Sequence, residues 1–290
     1  MAVNASDTTR PDQPGRPEPD PGADPAPASA AGSPAAGAAP FRPGRGWLRA
    51  EVVIVLALSL GQSAVYSLLS LAQALATGPL SEQTAALNRS LRPDPWLDLL
   101  YQLLSITFTL VPVALVVLLL TLTAGTLQQA LQDLGMDLGR PLRDLAHGVL
   151  LTAGIGIPGL AIYYLGRLLG ATVEVIPAAL DTHWWTLPVL VLHAIKNAVL
   201  EEVIVVGYLF QRLEKLGWSP RRIIVVSALL RGAYHTYQGV GPGLANLVMG
   251  LVFGEWYRRT RRTMPLVIAH TLLDVFAFVG YTLLQDVIST

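Results

Sequence analysis

The sequence predicts an all-α fold, a polytopic transmembrane helix bundle of about seven spans, and three observations predict it. The 290-residue chain is 52% hydrophobic and only 14% charged, with a mean hydropathy of +0.48. Its apolar residues gather in recurrent runs near the ~20 residues a helix needs to cross the hydrocarbon core. Lys and Arg between these runs fall mostly on one side of the bundle.

Residues 1–46 hold ten of the 21 prolines among Ala, Gly, Ser and Asp. No apolar period there could close a core, so the segment reads as a disordered cytoplasmic tail. A secretory signal needs its apolar stretch near the start. The first here begins near Val52 and is expected to stay as a span. Spans are expected near 48–77, 97–124, 146–168, 184–210, 221–237, 241–257 and 264–286, the fifth and sixth being short enough to suggest packing inside the bundle. This divides the membrane part into N-terminal helices, 47–183, and a C-terminal core, 184–290. Two linkers carry spaced leucines, Leu80, Leu87 and Leu91 in one and Leu127, Leu131, Leu134 and Leu138 in the other, and read as weak interfacial helices.

Fifteen of the twenty Lys and Arg residues flank one side, Arg212 among them, and only Arg89, Arg92 and Arg167 flank the other. By the positive-inside rule the N-terminus is cytoplasmic and the C-terminus external, as expected of a multi-pass protein of a bacterial plasma membrane. The tryptophans agree: Trp47, Trp218 and Trp256 fall at cytoplasmic ends of spans and Trp96, Trp184 and Trp185 at external ends. The absence of cysteine excludes disulfides, a thiolate nucleophile and cysteine metal sites. With a formal charge of zero and no basic patch interleaved with aromatics, nothing argues for nucleic acid. The expected partner is the lipid bilayer.

Five side chains costly to bury in a bilayer, Lys196, Glu201, Glu202, Arg231 and Asp274, lie inside the C-terminal spans together with His193, His235 and His270. Each charge at mid-membrane costs about 2.5–3.5 kcal/mol on insertion scales, so such groups face one another or a wet cavity and mark function. His193, Asn197 and Glu201 recur every four residues along one helical stripe, and Glu202 points about 100° away. Arg231 and His235 repeat the spacing on the fifth span, and His270 and Asp274 on the seventh. The sixth span instead carries Asn246, Gly250 and Gly254, whose glycines allow close helix approach. Asn246 could donate to a carboxylate of the site or satisfy nearby backbone.

A carboxylate beside apolar surface is a good general base, and a nearby imidazole can share its water. His270, partnered by Asp274, could stabilise an oxyanion. Glu202 could hold Arg231 in a buried ion pair that fixes two helices. His193, His147 and Lys196 are assigned no catalytic role. A metal set of Glu201, His235, His270 and Asp274 is conceivable, although no HExxH helix is present.

At these residues the chain resembles the CAAX-protease and bacteriocin-processing membrane proteins, the Abi family. Its motifs are Glu-Glu followed after three residues by Arg-Gly, then Phe and His four apart, then His and Asn or Asp four apart. Glu201, Glu202, Gly207, His235, His270 and Asp274 match in order, and Ser227–His235 (SALLRGAYH) resembles the second motif. The resemblance implies an intramembrane endopeptidase of membrane-embedded or lipidated peptides. It assigns Glu201 as water activator, His235 as its partner, and His270 and Asp274 as oxyanion and orienting residues. Glu202, Arg231 and Asn246 would be supporting residues. No cofactor is expected, with zinc the alternative. Two positions depart: Val206 stands at the family's Arg and Arg231 at its Phe, as if the cation had moved to a facing helix. The competing expectations are a non-catalytic scaffold or regulator of the same fold and, with less support, a transporter.

Overall fold

The computed structural model describes residues 41–171 and 173–288, with side chains to Leu283. The expected tail therefore lies almost wholly outside the described residues, and its last two positions, Arg45 and Gly46, already belong to the first helix. That helix, α1 (Arg45–Ala57), meets α2 (Leu60–Thr77) at a 51° bend. The bend has local causes. Ser59 turns its Oγ back onto Val55 O at 2.6 Å, and Gly61 lies so near the Leu56 carbonyl that a Cβ would sit 2.7 Å from its oxygen.

The chain continues through α3 (Pro95–Thr109) and α4 (Val111–Ala124), a nearly unbroken apolar run of mean hydropathy 2.7. A short α5 (Leu127–Leu134) precedes α6 (Pro141–Leu168), which carries Pro158 in its interior. Next, α7 (Thr186–Glu201) runs through a π-helical segment, Glu202–Tyr208, into α8 (Leu209–Lys215). The last helices are α9 (Pro220–His235), α10 (Val240–Thr260) and α11 (Met264–Ile288). All seven expected stretches are helical. Among the described residues three helical runs, Pro95–Ala124, Pro141–Leu168 and Met264–Leu283, are long and apolar enough to cross a membrane, or four if the bent α1–α2 pair is one span. The stretches over α7 to α10 are interrupted by charge or are short, as suits helices packed among others.

The linkers divide. Thr126 caps α5 by accepting from Gln129 N, and Gly135 in the left-handed conformation ends it. Rather than only resting on the bilayer, α5 docks: Leu134 is fully buried, and Thr263 Oγ1 donates to its carbonyl at 2.6 Å. The other linker holds no α-helix, only a single 3-10 turn at Leu80–Glu82. Residues Thr84–Ala86 form β1, which pairs in parallel with β2 (Glu174–Ile176), Thr84 opposite Glu174. Pro79, Pro93 and a positive φ of 43° at Asn88 oppose a helix there, so the leucine spacing misleads.

The core centres on the π segment, where Val203, Ile204, Val205, Val206 and Tyr208 have no exposure. Beside it α9 and α10 meet through small residues. A Cβ on Gly250 would lie 2.8 Å from Ala228 Cα, so only glycine permits this approach. Arg212, expected to flank a span in water, is fully buried. It donates to Glu51 Oε1 (2.7 Å), to Thr123 Oγ1 (3.3 Å) and to the Leu119 carbonyl (3.1 Å), tying α8 to α1 and α4. Trp185 is likewise 3% exposed, whereas Trp184 is 78% exposed. Between α5 and α6, outside the spans, the Gly139 N–H and the Arg262 guanidinium hold the Asp137 carboxyl below the usual carboxylate range.

Candidate functional site

Regular α7 ends at Glu201, and the π turns begin at Glu202. A π insertion changes the helical register and is frequent at functional sites. Here it brings both adjacent carboxylates into one buried cluster, Glu201 at 7% and Glu202 at 0% exposure. Two neighbours support the wider turn. Ser227 on α9 donates to the Val205 carbonyl at 2.9 Å, and Gly207 leaves room for Leu134 and Thr263, whose atoms a Cβ would meet at 2.7 and 3.2 Å.

Glu201 Oε2 is a meeting point for α9. Tyr234 donates its hydroxyl to it at 2.8 Å, His235 Nε2 stands 3.6 Å away, and Arg231 Nη1 3.8 Å away. Neither ring nitrogen of His235 makes a hydrogen bond with the described residues, and the side chain retains 15% exposure. The imidazole is thus beside the carboxylate without a hydrogen bond to it.

Glu202 does different work. Its Oε1 accepts from Arg231 Nη2 at 2.6 Å and from His270 Nδ1 at 2.7 Å, with none of the three more than 5% exposed at the side chain. The expected Glu202–Arg231 pair is present, and the guanidinium carbon also lies 5.3 Å from the Phe253 ring centroid. One carboxylate therefore joins the π segment, α9 and α11. It also takes over the part expected of Asp274, whose Oδ1 is 3.8 Å from His270 Nε2. Asp274 is held instead by Asn197 Nδ2, which donates to its Oδ2 at 3.0 Å. Because Nδ1–H of His270 is used on Glu202, the Nε2 edge is the one left to face a reacting group.

Glu201, His235, His270 and Asp274 are thus brought together from three helices, with Glu202 and Arg231 between them. Asn246 is not part of the cluster: its Nδ2 donates to Pro242 O at 3.1 Å in its own helix, the backbone role of the two considered. Tyr234 and Asn197 are the partners that sequence reasoning assigned no role. Asn197 was visible on the Glu201 stripe, but nothing in the sequence distinguished Tyr234 from an interfacial tyrosine. A separate pair lies further along α7, where His193 Nε2 meets Gln102 Oε1 at 2.9 Å and Lys196 Nζ meets His193 Nδ1 at 3.4 Å.

For a metal, the ligand atoms that converge are those of Glu201, Glu202 and His270, all within 4.8 Å of one another. This differs from the set with His235 and Asp274 considered from sequence. Its fit is poor, since Glu202 Oε1 and His270 Nδ1 are engaged with each other and a fixed guanidinium touches the same oxygen.

No curated protein and no solved structure matches the chain. The family model for type II CAAX prenyl endopeptidase Rce1-like proteins matches residues 183–276, the stretch that holds the whole cluster. The match is to a protease family, and together with the long apolar helices it supports an integral membrane protein. Over residues 183–276 the chain is therefore similar to type II CAAX prenyl endopeptidase Rce1-like proteins, in agreement with the resemblance its three motifs carry.

Proposed function

We propose that the chain is an intramembrane endopeptidase that cleaves a membrane-embedded or lipidated peptide with water activated by Glu201 and His235. The observation that carries this reading is the convergence on Glu201 Oε2 of the Tyr234 hydroxyl at 2.8 Å and the His235 ring at 3.6 Å, on a nearly buried carboxylate. Glu201 takes a proton from water as its oxygen bonds to the peptide carbonyl carbon, and Tyr234 and His235 orient that water. His270, flanked by Glu202 and Asp274, acts as the imidazolium whose Nε2–H stabilises the developing oxyanion. When the C–N bond breaks, the proton held by Glu201 passes to the leaving amine. Glu202 and Arg231 position these groups without touching substrate.

The test is proteolysis of a membrane-peptide library by the purified chain in vesicles, with Glu201→Ala as control. Cleavage by the parent and not by the variant supports the reading. No cleavage of any substrate class by a well-folded parent would leave the non-catalytic scaffold, which the Val206 departure favours.

The proposed mechanism needs no cofactor, because its base and its oxyanion donor are side chains. Incubation with a strong chelator should leave cleavage unchanged. Loss on chelation that zinc alone restores would make Glu201, Glu202 and His270 metal ligands. The proposed orientation follows from the Arg asymmetry: a reporter after Thr290 should read as external, and one in the 216–219 turn between α8 and α9 as cytoplasmic. The same side for both would mean that the number of crossings between them is even.

A further inference from the structure

Where α6, α10 and α11 come together, away from the catalytic cluster, the structure holds a cavity of about 100 Å³. Arg140, Arg143 and His147 line it from the start of α6, Trp256 and Thr260 from the end of α10, and Arg262 from the turn before α11. The third arginine is engaged: Arg262 is paired with Asp137 and with Asp144, which also lines the cavity, so it braces the wall. Arg140 and Arg143 are exposed and make no ion pair with the described residues. They leave the cavity with a net cationic rim.

Three further features point to an anionic occupant. The α6 N-terminus has no side-chain cap, so its first-turn amides add the positive end of a 28-residue helix. The Trp256 indole packs edge-on against His147, centroids 5.1 Å apart, and its Nε1 is buried without a hydrogen-bond partner among the described residues. A buried indole N–H normally has an acceptor. Immediately beyond the rim, α6 presents Leu142, Leu145, Val149 and Leu150 outward at 80, 49, 50 and 65% exposure. Cations, a free donor and a helix terminus beside a lipid-facing apolar stripe are the chemistry of a phospholipid headgroup with its chains laid along a span. Guanidinium suits it, since Arg binds phosphate oxygens in a bidentate fork.

We propose that this cavity is a site for the phosphate of an anionic phospholipid, clamping α6 against the turn that leads into α11. Because α11 carries His270, the occupant would steady the helix that supplies the oxyanion donor.

The experiment uses the full chain in phosphatidylcholine nanodiscs with rising fractions of phosphatidylglycerol, reading retained lipid and thermal midpoint. The parent should bind phosphatidylglycerol saturably and gain midpoint. Arg140→Gln/Arg143→Gln should match the parent in pure phosphatidylcholine and bind phosphatidylglycerol on the order of 10- to 30-fold more weakly. Arg258→Gln/Arg259→Gln, which removes the same charge from residues that do not line the cavity, should keep the saturable site. Equal binding by the Arg140/Arg143 variant, or equal weakening by the Arg258/Arg259 variant, overturns the site in favour of a diffuse surface field. If inorganic phosphate alone reproduces the midpoint gain, the occupant is a soluble phosphate and the lipid proposal fails.

Discussion

Glu201→Gln should lower peptide cleavage by about 10²- to 10⁴-fold, the range of a lost general base, with little change in thermal midpoint. Gln keeps the volume of Glu and an oxygen for the Tyr234 hydroxyl, so the 2.8 Å hydrogen bond survives while proton acceptance is lost. His235→Ala should act alike. Neither of its ring nitrogens bonds to the described residues, so removing the ring breaks no hydrogen bond there. Tyr234→Phe should reduce cleavage less, because it orients the carboxylate but takes no proton. Single-turnover cleavage in vesicles beside the thermal midpoint separates these cases. Full activity in Glu201→Gln would rule out this carboxylate as the base.

Arg231→Phe should have the largest effect on stability, a loss of about 3–5 kcal/mol by analogy with other broken buried pairs. Arg231 and Glu202 both have no exposure and meet at 2.6 Å, so removing the guanidinium leaves a carboxylate in the core with His270 as its remaining partner. Cleavage should fall as well, since Glu202 then holds His270 less firmly. Adding Val206→Arg returns a cation at the position where the family motif has one and should recover much of both losses, which a double-mutant cycle would measure as coupling. If the single variant keeps the parent's stability, or the second substitution recovers nothing, the idea of a relocated cation is wrong.

Where sequence reading succeeded and where it failed follows from the range of the interactions involved. The four-residue spacings of His193, Asn197 and Glu201, of Arg231 and His235, and of His270 and Asp274 are properties of helices alone, and the structure keeps them on α7, α9 and α11. The interfacial-helix reading of Leu80, Leu87 and Leu91 failed because strand pairing with Glu174–Ile176 is non-local. Arg212 failed for a similar reason: an arginine at the end of an apolar run looks like a flank until Glu51, 161 residues earlier, is seen beside it.

The sequence by itself determined the class of protein, the helical stretches, the charged and histidine residues of the C-terminal cluster and the three motifs, because hydropathy and helical period are written locally. Only the tertiary structure decided which partner each charge takes. It gave His270 to Glu202, Asp274 to Asn197, and Tyr234 to Glu201. The physical reason is that the π turns after Glu201 reset the register of the helix, and the crossings of α9 and α11 over it then set the distances. In a buried site, a difference of about 1 Å separates a hydrogen bond from a mere neighbour.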